Sequence, residues 1–597
     1  MTTHNTASPK RERREADITA RTQSRDRQGA DDVGADSISP RCKLPRSLTV
    51  AVLSVFAIAT SVEHPVLAAG PQVQIVLAAQ AEPLEKFAAD EMAGQLKKLF
   101  EADVTISTTA PADAANVILL GNPATHEVLK DLNLALPKLS DQGHALKSVK
   151  LGDKAVLVVA GGSPRAVMWA AYELGWQFGI RYFLFGDLFP TQPKPFTVEG
   201  FDLALEPLIR GRGFCDWDQS IFGPEVWSVA EYKQVLGQMA KLKATGFLRD
   251  EFLEEIPKIR VDGDTVGRNV FAGAKYFGDP DLANADSASD FSQRYSEKFT
   301  AIRDEAARLG IEYGFAGGVH SAVPPFRPQP PRMGSRGVLP QMGHSSASAT
   351  VIGLWDFHSA RENLRSGLTT ELRKEYDTRF PDQLVRQDRP FTPDPMCGDV
   401  MFRYLIESRG TFKPQPPVDL LNDCLAPVCG DGVAERVIRA FDLCEQNVTL
   451  ISRNTSGFST PKPDMLTRHF DSDEPPPAWW AEVRTNYLNA MSEMYRANTR
   501  AREGGRQFTL WYARRFEFGF EYMNAVEALR KAGIAKRKGN NDEQIAELEK
   551  ALDSITNACN AMAAVARSQS DRGVIAVMNE YGYRPVMKLL EAADAGN

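Results

Sequence analysis

The residues of this 597-residue chain best suited to chemistry are carboxylates at strand ends. Asp216 closes the run Gly211-Arg212-Gly213-Phe214-Cys215, which reads as a β-strand. Asp250 and Glu251 close a second, opened by Phe247-Leu248, with Glu254 and Glu255 close behind. In a βα unit the end of the strand faces the loops where ligands sit. Two carboxyl groups across an acetal can split it. One, held protonated, gives its proton to the leaving oxygen, and the other, ionised, attacks or activates water. An acidic cluster at a helix start also has a simpler reading, because carboxylates are favoured there. Possible gripping groups stand nearby. The guanidinium of Arg212 suits an oxyanion, and Trp217, Trp227, Tyr276 and Trp355 offer aromatic faces to a polyol. His320, in Gly317-Gly318-Val319-His320-Ser321, ends a further strand beside a long loop.

These residues need elements to position them. Ser228 and Glu231 form a capping box, and Val229, Tyr232, Leu236, Met239 and Leu242 mark one face of the helix that follows. Gly246 stands where a helix C-cap belongs. A third strand is expected at Asn269–Ala272, a helix at Phe291–Leu309 and a fourth strand at Ile311–Ala316. Strand followed by helix, repeated, is the pattern of a TIM-type βα barrel. The pattern then thins. Residues 320–350 read as a Pro-, Gly- and Ser-rich loop, and Trp355–Tyr376 and Val400–Glu407 as helical. Four or five βα units are legible rather than eight, so the barrel is complete only if strands hide between about 340 and 420. From Gly432 onward the pattern is helical, with Ile545, Leu548, Leu552, Ile555, Cys559 and Met562 as one core stripe. The charged stretches Arg514-Arg515-Phe516-Glu517 and Asp571-Arg572-Gly573 lie between apolar residues and read as inter-helix ion pairs.

Residues 71–200 alternate strand and helix, as a small α/β sandwich does. Strands are expected at Val73–Leu77, Val104–Ser107, Val117–Gly121 and Ala155–Ala160, with a helix at Leu84–Leu99. Gly161-Gly162-Ser163 lacks the lysine and spacing of a phosphate loop and reads as a turn. Arg165–Asp187 is an apolar helix stopped at Gly179 and followed by a buried strand, Ile180–Phe185. Its Tyr172, Leu174, Gly179, Ile180, Arg181 and Tyr182 resemble the closing helix and strand of the α/β domain that precedes the barrel in α-glucuronidases and β-N-acetylhexosaminidases. The resemblance implies a carbohydrate-active protein. In hexosaminidases an adjacent Asp-Glu pair orients the substrate acetamide and supplies the acid. That pair follows the fourth strand there, whereas Asp250-Glu251 follows the second here. The helical tail through Asn579-Glu580-Tyr581-Gly582-Tyr583-Arg584-Pro585 is similar to that of secreted bacterial proteins with the same kind of first domain.

The organisation expected is therefore a leader over residues 1–69, an α/β domain over 70–200, a linker around Pro193–Pro207, a TIM-like region over 201–420, and a helical domain over 421–597. Residues 1–40 are polar, and Arg41–Arg46 is followed by the apolar run Leu48–Val62 and the small residues Val66–Gly70, the order of a signal peptide cleaved near Ala68. Export to a periplasmic or extracellular space would follow, with a signal anchor as the rival. A net charge of −7 argues against nucleic acid, and no later segment is long and apolar enough to span a membrane. No CxxC pair, HExxH, P-loop or GxSxG occurs, so neither a metal nor a cofactor is expected. Cys424 and Cys429 could be a local disulfide or reduced and buried. Two functions stay open: hydrolysis of an acidic or N-acetylated poly- or oligosaccharide, or carbohydrate binding on a degenerate barrel. A structural envelope role is the third. The oligomeric state is not legible.

Overall fold

Val117–Gly121 is buried along its whole length, as the centre of a sheet covered on both faces must be. The computed structural model describes residues 70–109, 114–132, 138–184, 186–207, 213–216, 226–250, 259–283, 285–316, 417–454 and 465–596. The N-terminal elements are β1 (Gln72–Leu77), α1 (Pro83–Phe100), β2 (Asp103–Ser107), β3 (Val117–Gly121), α2 (Glu127–Asp131), β4 (His144–Leu151), β5 (Lys154–Gly161) and α3 (Pro164–Gln177). A ribbon of β6 (Arg181–Phe183) and β7 (Gly186–Leu188) follows, then β8 (Asp202–Leu205). The sheet runs β2-β1-β3-β5-β4-β8. Its first four strands are parallel, and β4 and β8 are antiparallel to their neighbours. Alternation divides the core. Ile75, Ile118 and Leu157 pack under α1 and α3, whereas Val76, Leu119 and Val158 meet Leu129 of α2 on the other face.

The expected strands and helices here are present, and the sheet is larger than expected. β8 lies inside the expected linker and supplies the last edge. Ser163 is the N-cap of α3, with Pro164 at its first position, so Gly161-Gly162-Ser163 is the turn expected of it. Gly179, at φ 102°, lets the chain leave α3 for β6.

The next elements are β9 (Gly213–Asp216), α4 (Val229–Lys241), β10 (Gly246–Asp250), β11 (Ile259–Arg260), a 3₁₀ turn (Arg268–Phe271), β12 (Tyr276–Phe277), α5 (Ala288–Arg308) and β13 (Glu312–Ala316). β9, β10 and β13 form one parallel sheet in the order β13-β10-β9. Two expectations are corrected. The third strand at Asn269–Ala272 is a 3₁₀ turn closed by left-handed Gly267 and Ala272, within a strap (residues 259–277) whose only strands are the short β11–β12 ribbon. A four-residue apolar run has the same text in either form. Gly246 is not the cap of α4. It opens β10, and the left-handed residue after the helix is Lys243, at φ 61°. Where a TIM-type barrel is expected, the described residues show one sheet of three parallel strands and two helices.

One core joins these modules. Trp227, Tyr232, Leu236 and Met239 of the α4 region and Ile302 and Ala306 of α5 belong to the same apolar cluster as the inner face of the N-terminal domain. The layers are sheet, then α1 and α3, then α4 and α5, then the second sheet. Tyr232 of α4 meets Phe247 of β10 at 6.5 Å between ring centres.

The C-terminal region is helical, as expected: α6 (Pro417–Cys429), α7 (Ala434–Asn454), α8 (Met465–Asp471), α9 (Ala478–Arg500), α10 (Glu503–Arg537), α11 (Asn541–Ala563), α12 (Gln569–Met578), a π-turn (Asn579–Tyr583) and α13 (Arg584–Ala595). The stripe from Ile545 to Met562 is buried along α11. Cys424 and Cys429 are buried and not disulfide-linked.

Candidate active site

Parallel strands put their C-terminal ends on one side of a sheet, and β9, β10 and β13 end there at Asp216, Asp250 and Ala316. Asp216 lies opposite Arg249 in the register, so Asp250 stands one residue beyond it on the neighbouring strand. Two of the sequence-predicted carboxylates therefore close adjacent strands. Glu251, Arg212, Trp217, His320 and Trp355, with Glu254 and Glu255, lie outside the described residues. Trp227 is not a platform for a sugar. It is buried, meets Tyr232 edge-on at 5.3 Å, and donates its indole N–H to Ser570 of α12. Tyr276 on β12 is exposed.

The other ends of β10 and β13 rest on the N-terminal domain, and α3 is the base. Glu173 of α3 accepts from Lys243 Nζ at 2.6 Å, both side chains being buried. Lys243 Nζ also lies 3.0 Å from His144 Nε2. A lysine only donates, so this nitrogen accepts, and Nδ1–H donates to the Gln142 carbonyl at 3.1 Å. Lys243 is three residues before β10. Arg165, at the other end of α3, donates to the Gly310 carbonyl at 2.9 Å, two residues before β13. Sequence reasoning missed this cluster. Its one local signal is a glutamate in the apolar helix Arg165–Gln177, which needs a buried partner.

The strap after β10 is fixed from the opposite side. Asn579 pairs with Val266 like a strand neighbour, accepting from its N–H at 2.8 Å and donating to its carbonyl at 2.9 Å. Arg584 donates to the Asp262 carbonyl and to Thr265 Oγ1. Asp279 and Lys298 form a buried pair that also holds the Trp227 carbonyl, and burial raises the Asp279 carboxyl although Lys298 opposes the shift. Glu231 completes the frame. It caps its own helix through Ser228 and accepts from the Gln569 N–H of α12 at 2.6 Å. Among the described residues no group of three or more His, Cys, Asp or Glu could hold a metal ion. No described helix is long and apolar enough to cross a membrane.

Comparison with known proteins adds the family of the first domain. Residues 60–174 match the model of the glycosyl hydrolase family 67 N-terminus, which takes in β1 through most of α3. The first domain is α-glucuronidase-like. Among solved structures, the chain is similar to a family 115 4-O-methyl-α-glucuronidase with specificity for decorated arabinogalactans. The identity is 11%, the coverage 85% of this chain and 79% of that one, and the TM-score 0.46. It is also similar to a family 138 enzyme targeting pectin rhamnogalacturonan II, at 10% identity, 87% and 100% coverage and a TM-score of 0.39. No curated protein matches the sequence. The α-glucuronidase-like domain is thus the part whose α3 holds the segments leading into β10, which ends in Asp250, and β13.

Proposed function

We propose that this chain is an exported glycoside hydrolase that cleaves an acidic or N-acetylated glycan with strand-end carboxylates. The observation that carries the reading is the α-glucuronidase-like first domain, packed through one core against α4, α5 and β10, the strand that ends in Asp250 beside β9 and its Asp216. One carboxyl group protonates the glycosidic oxygen as the bond breaks. A second attacks the anomeric carbon when the pair is about 5–5.5 Å apart, or activates water when it is about 6.5–9.5 Å apart. Asp250 is taken as the first of the pair, because it ends β10 one residue beyond the register partner of Asp216. Glu251 follows directly and is the natural second carboxyl, with Asp216 as the alternative. Arg212, Trp217, His320 and Trp355 are the proposed substrate contacts. The three parallel strands described keep a binding-only role as the rival reading.

The test is release of reducing ends by the full chain from glucuronoxylan, polygalacturonate and chitooligosaccharides. Release from an acidic or N-acetylated polymer supports hydrolysis. Binding without release by a folded chain favours the binding-only role.

A further inference from the structure

We infer that exposed arginines where α7, α9 and α10 meet form a docking surface for a uronate-bearing polysaccharide. This deepens the proposed function and rests on it for the ligand class. Arg496, Arg500, Arg502 and Arg506 fall within eleven residues, and all four are exposed, on a chain of net charge −7. Glu493 of α9 is already shared by three guanidiniums. It accepts from Arg436 at 2.9 Å, Arg439 at 3.1 Å and Arg496 at 3.0 Å. Arg500 stands one turn beyond Arg496, and Arg502 caps α10. Among the described residues neither has a carboxylate within ion-pair distance.

The turn Gly430-Asp431-Gly432 lies between their side chains. Arg502 Nε is 3.2 Å from where a Cβ on Gly430 would sit, and Arg500 Nη1 is 3.8 Å from where one on Gly432 would sit. The exposed carboxylates of Asp431, Glu435 and Glu503 belong to the same surface. With Glu493 they leave it short of negative charge against Arg436, Arg439 and the four clustered arginines. A guanidinium fork without a partner binds a carboxylate through two parallel hydrogen bonds. A polyuronate offers carboxylates along a flexible chain, which matches two such forks either side of one turn. The α-glucuronidase-like first domain favours a uronate polymer over nucleic acid as the polyanion.

Affinity electrophoresis of the full chain tests this, in gels containing polygalacturonate, neutral amylose or double-stranded DNA. Arg500→Gln/Arg502→Gln is run beside wild type. Both side chains are exposed and unpaired, so the variant keeps its fold, as a thermal melt would verify. Wild type is expected to be retarded by polygalacturonate and not by amylose, with the dissociation constant rising about tenfold in the variant. No retardation of wild type, or equal retardation of the variant, overturns the surface. Equal retardation by DNA overturns the uronate assignment in favour of any polyanion. Glycoside turnover is read separately, so loss of the hydrolase reading and loss of this surface are distinguishable.

Discussion

At the scale of single residues, burial decides which charges matter. Arg515 and Asp571 are fully buried 2.6 Å apart, with the guanidinium 3.4 Å from the Trp511 ring centre. Burial brings Arg515 down to about 10 although Asp571 opposes the shift. Asp571 also caps α12 with Ser568. This is the inter-helix pairing the charged text of the tail suggests. His469 carries a pH dependence. Burial, and then Arg530, lower its imidazole from 6.5 to about 3. Between those values the unfolded chain takes up a proton that the folded chain refuses. The stability present above pH 6.5 is therefore lost as pH falls, at up to about 1.4 kcal/mol per pH unit. Replacing His469 by Leu is expected to flatten the fall in melting temperature between pH 6.5 and 4. An unchanged slope would show that the imidazole does not contribute.

At the scale of elements, α10 shows how a helix is seated. Gly505, Gly519 and Gly533 are spaced close to four turns apart, and so share a face. A Cβ on each would meet, in turn, Cys429 Sγ at 2.2 Å, a Tyr487 ring carbon at 2.7 Å and the Phe470 carbonyl at 1.8 Å. Gly533→Ala should cost about 1–3 kcal/mol because backbone is the obstacle. A urea midpoint equal to wild type would refute the close approach. Sequence reading found the elements with local signals: the Ser228–Glu231 box, the Ser163 turn, the α11 stripe, and the strands that end in Asp216 and Asp250. It missed β4, whose polar Lys147, Ser148 and Lys150 blur the alternation, and β8, masked by flanking prolines. The Lys243–Glu173–His144 cluster was illegible for another reason, because partners this distant in sequence meet only once the layers stack.

At the scale of the whole molecule, the first domain is a foundation rather than an appendage. Ala69–Asn597 is one compact unit, and the N-terminal sheet shares its core with α4 and α5. Deleting residues 70–205 strips apolar cover from those helices and removes Glu173 and His144, the partners of Lys243. The remainder is expected to lack a cooperative thermal transition. A sharp melt would show that the helical and strand modules fold by themselves. The central claim is hydrolysis by carboxylates at the ends of β9 and β10. The most direct measurement is kcat on 4-nitrophenyl glycosides, glucuronide and N-acetylglucosaminide included, for wild type, Asp250→Asn and Glu251→Gln, each verified as folded by its melt. The account predicts turnover by wild type and a loss of about 100-fold or more in at least one variant. Turnover untouched by both changes would contradict the site, and a folded wild type inert on every glycoside would contradict the hydrolase itself.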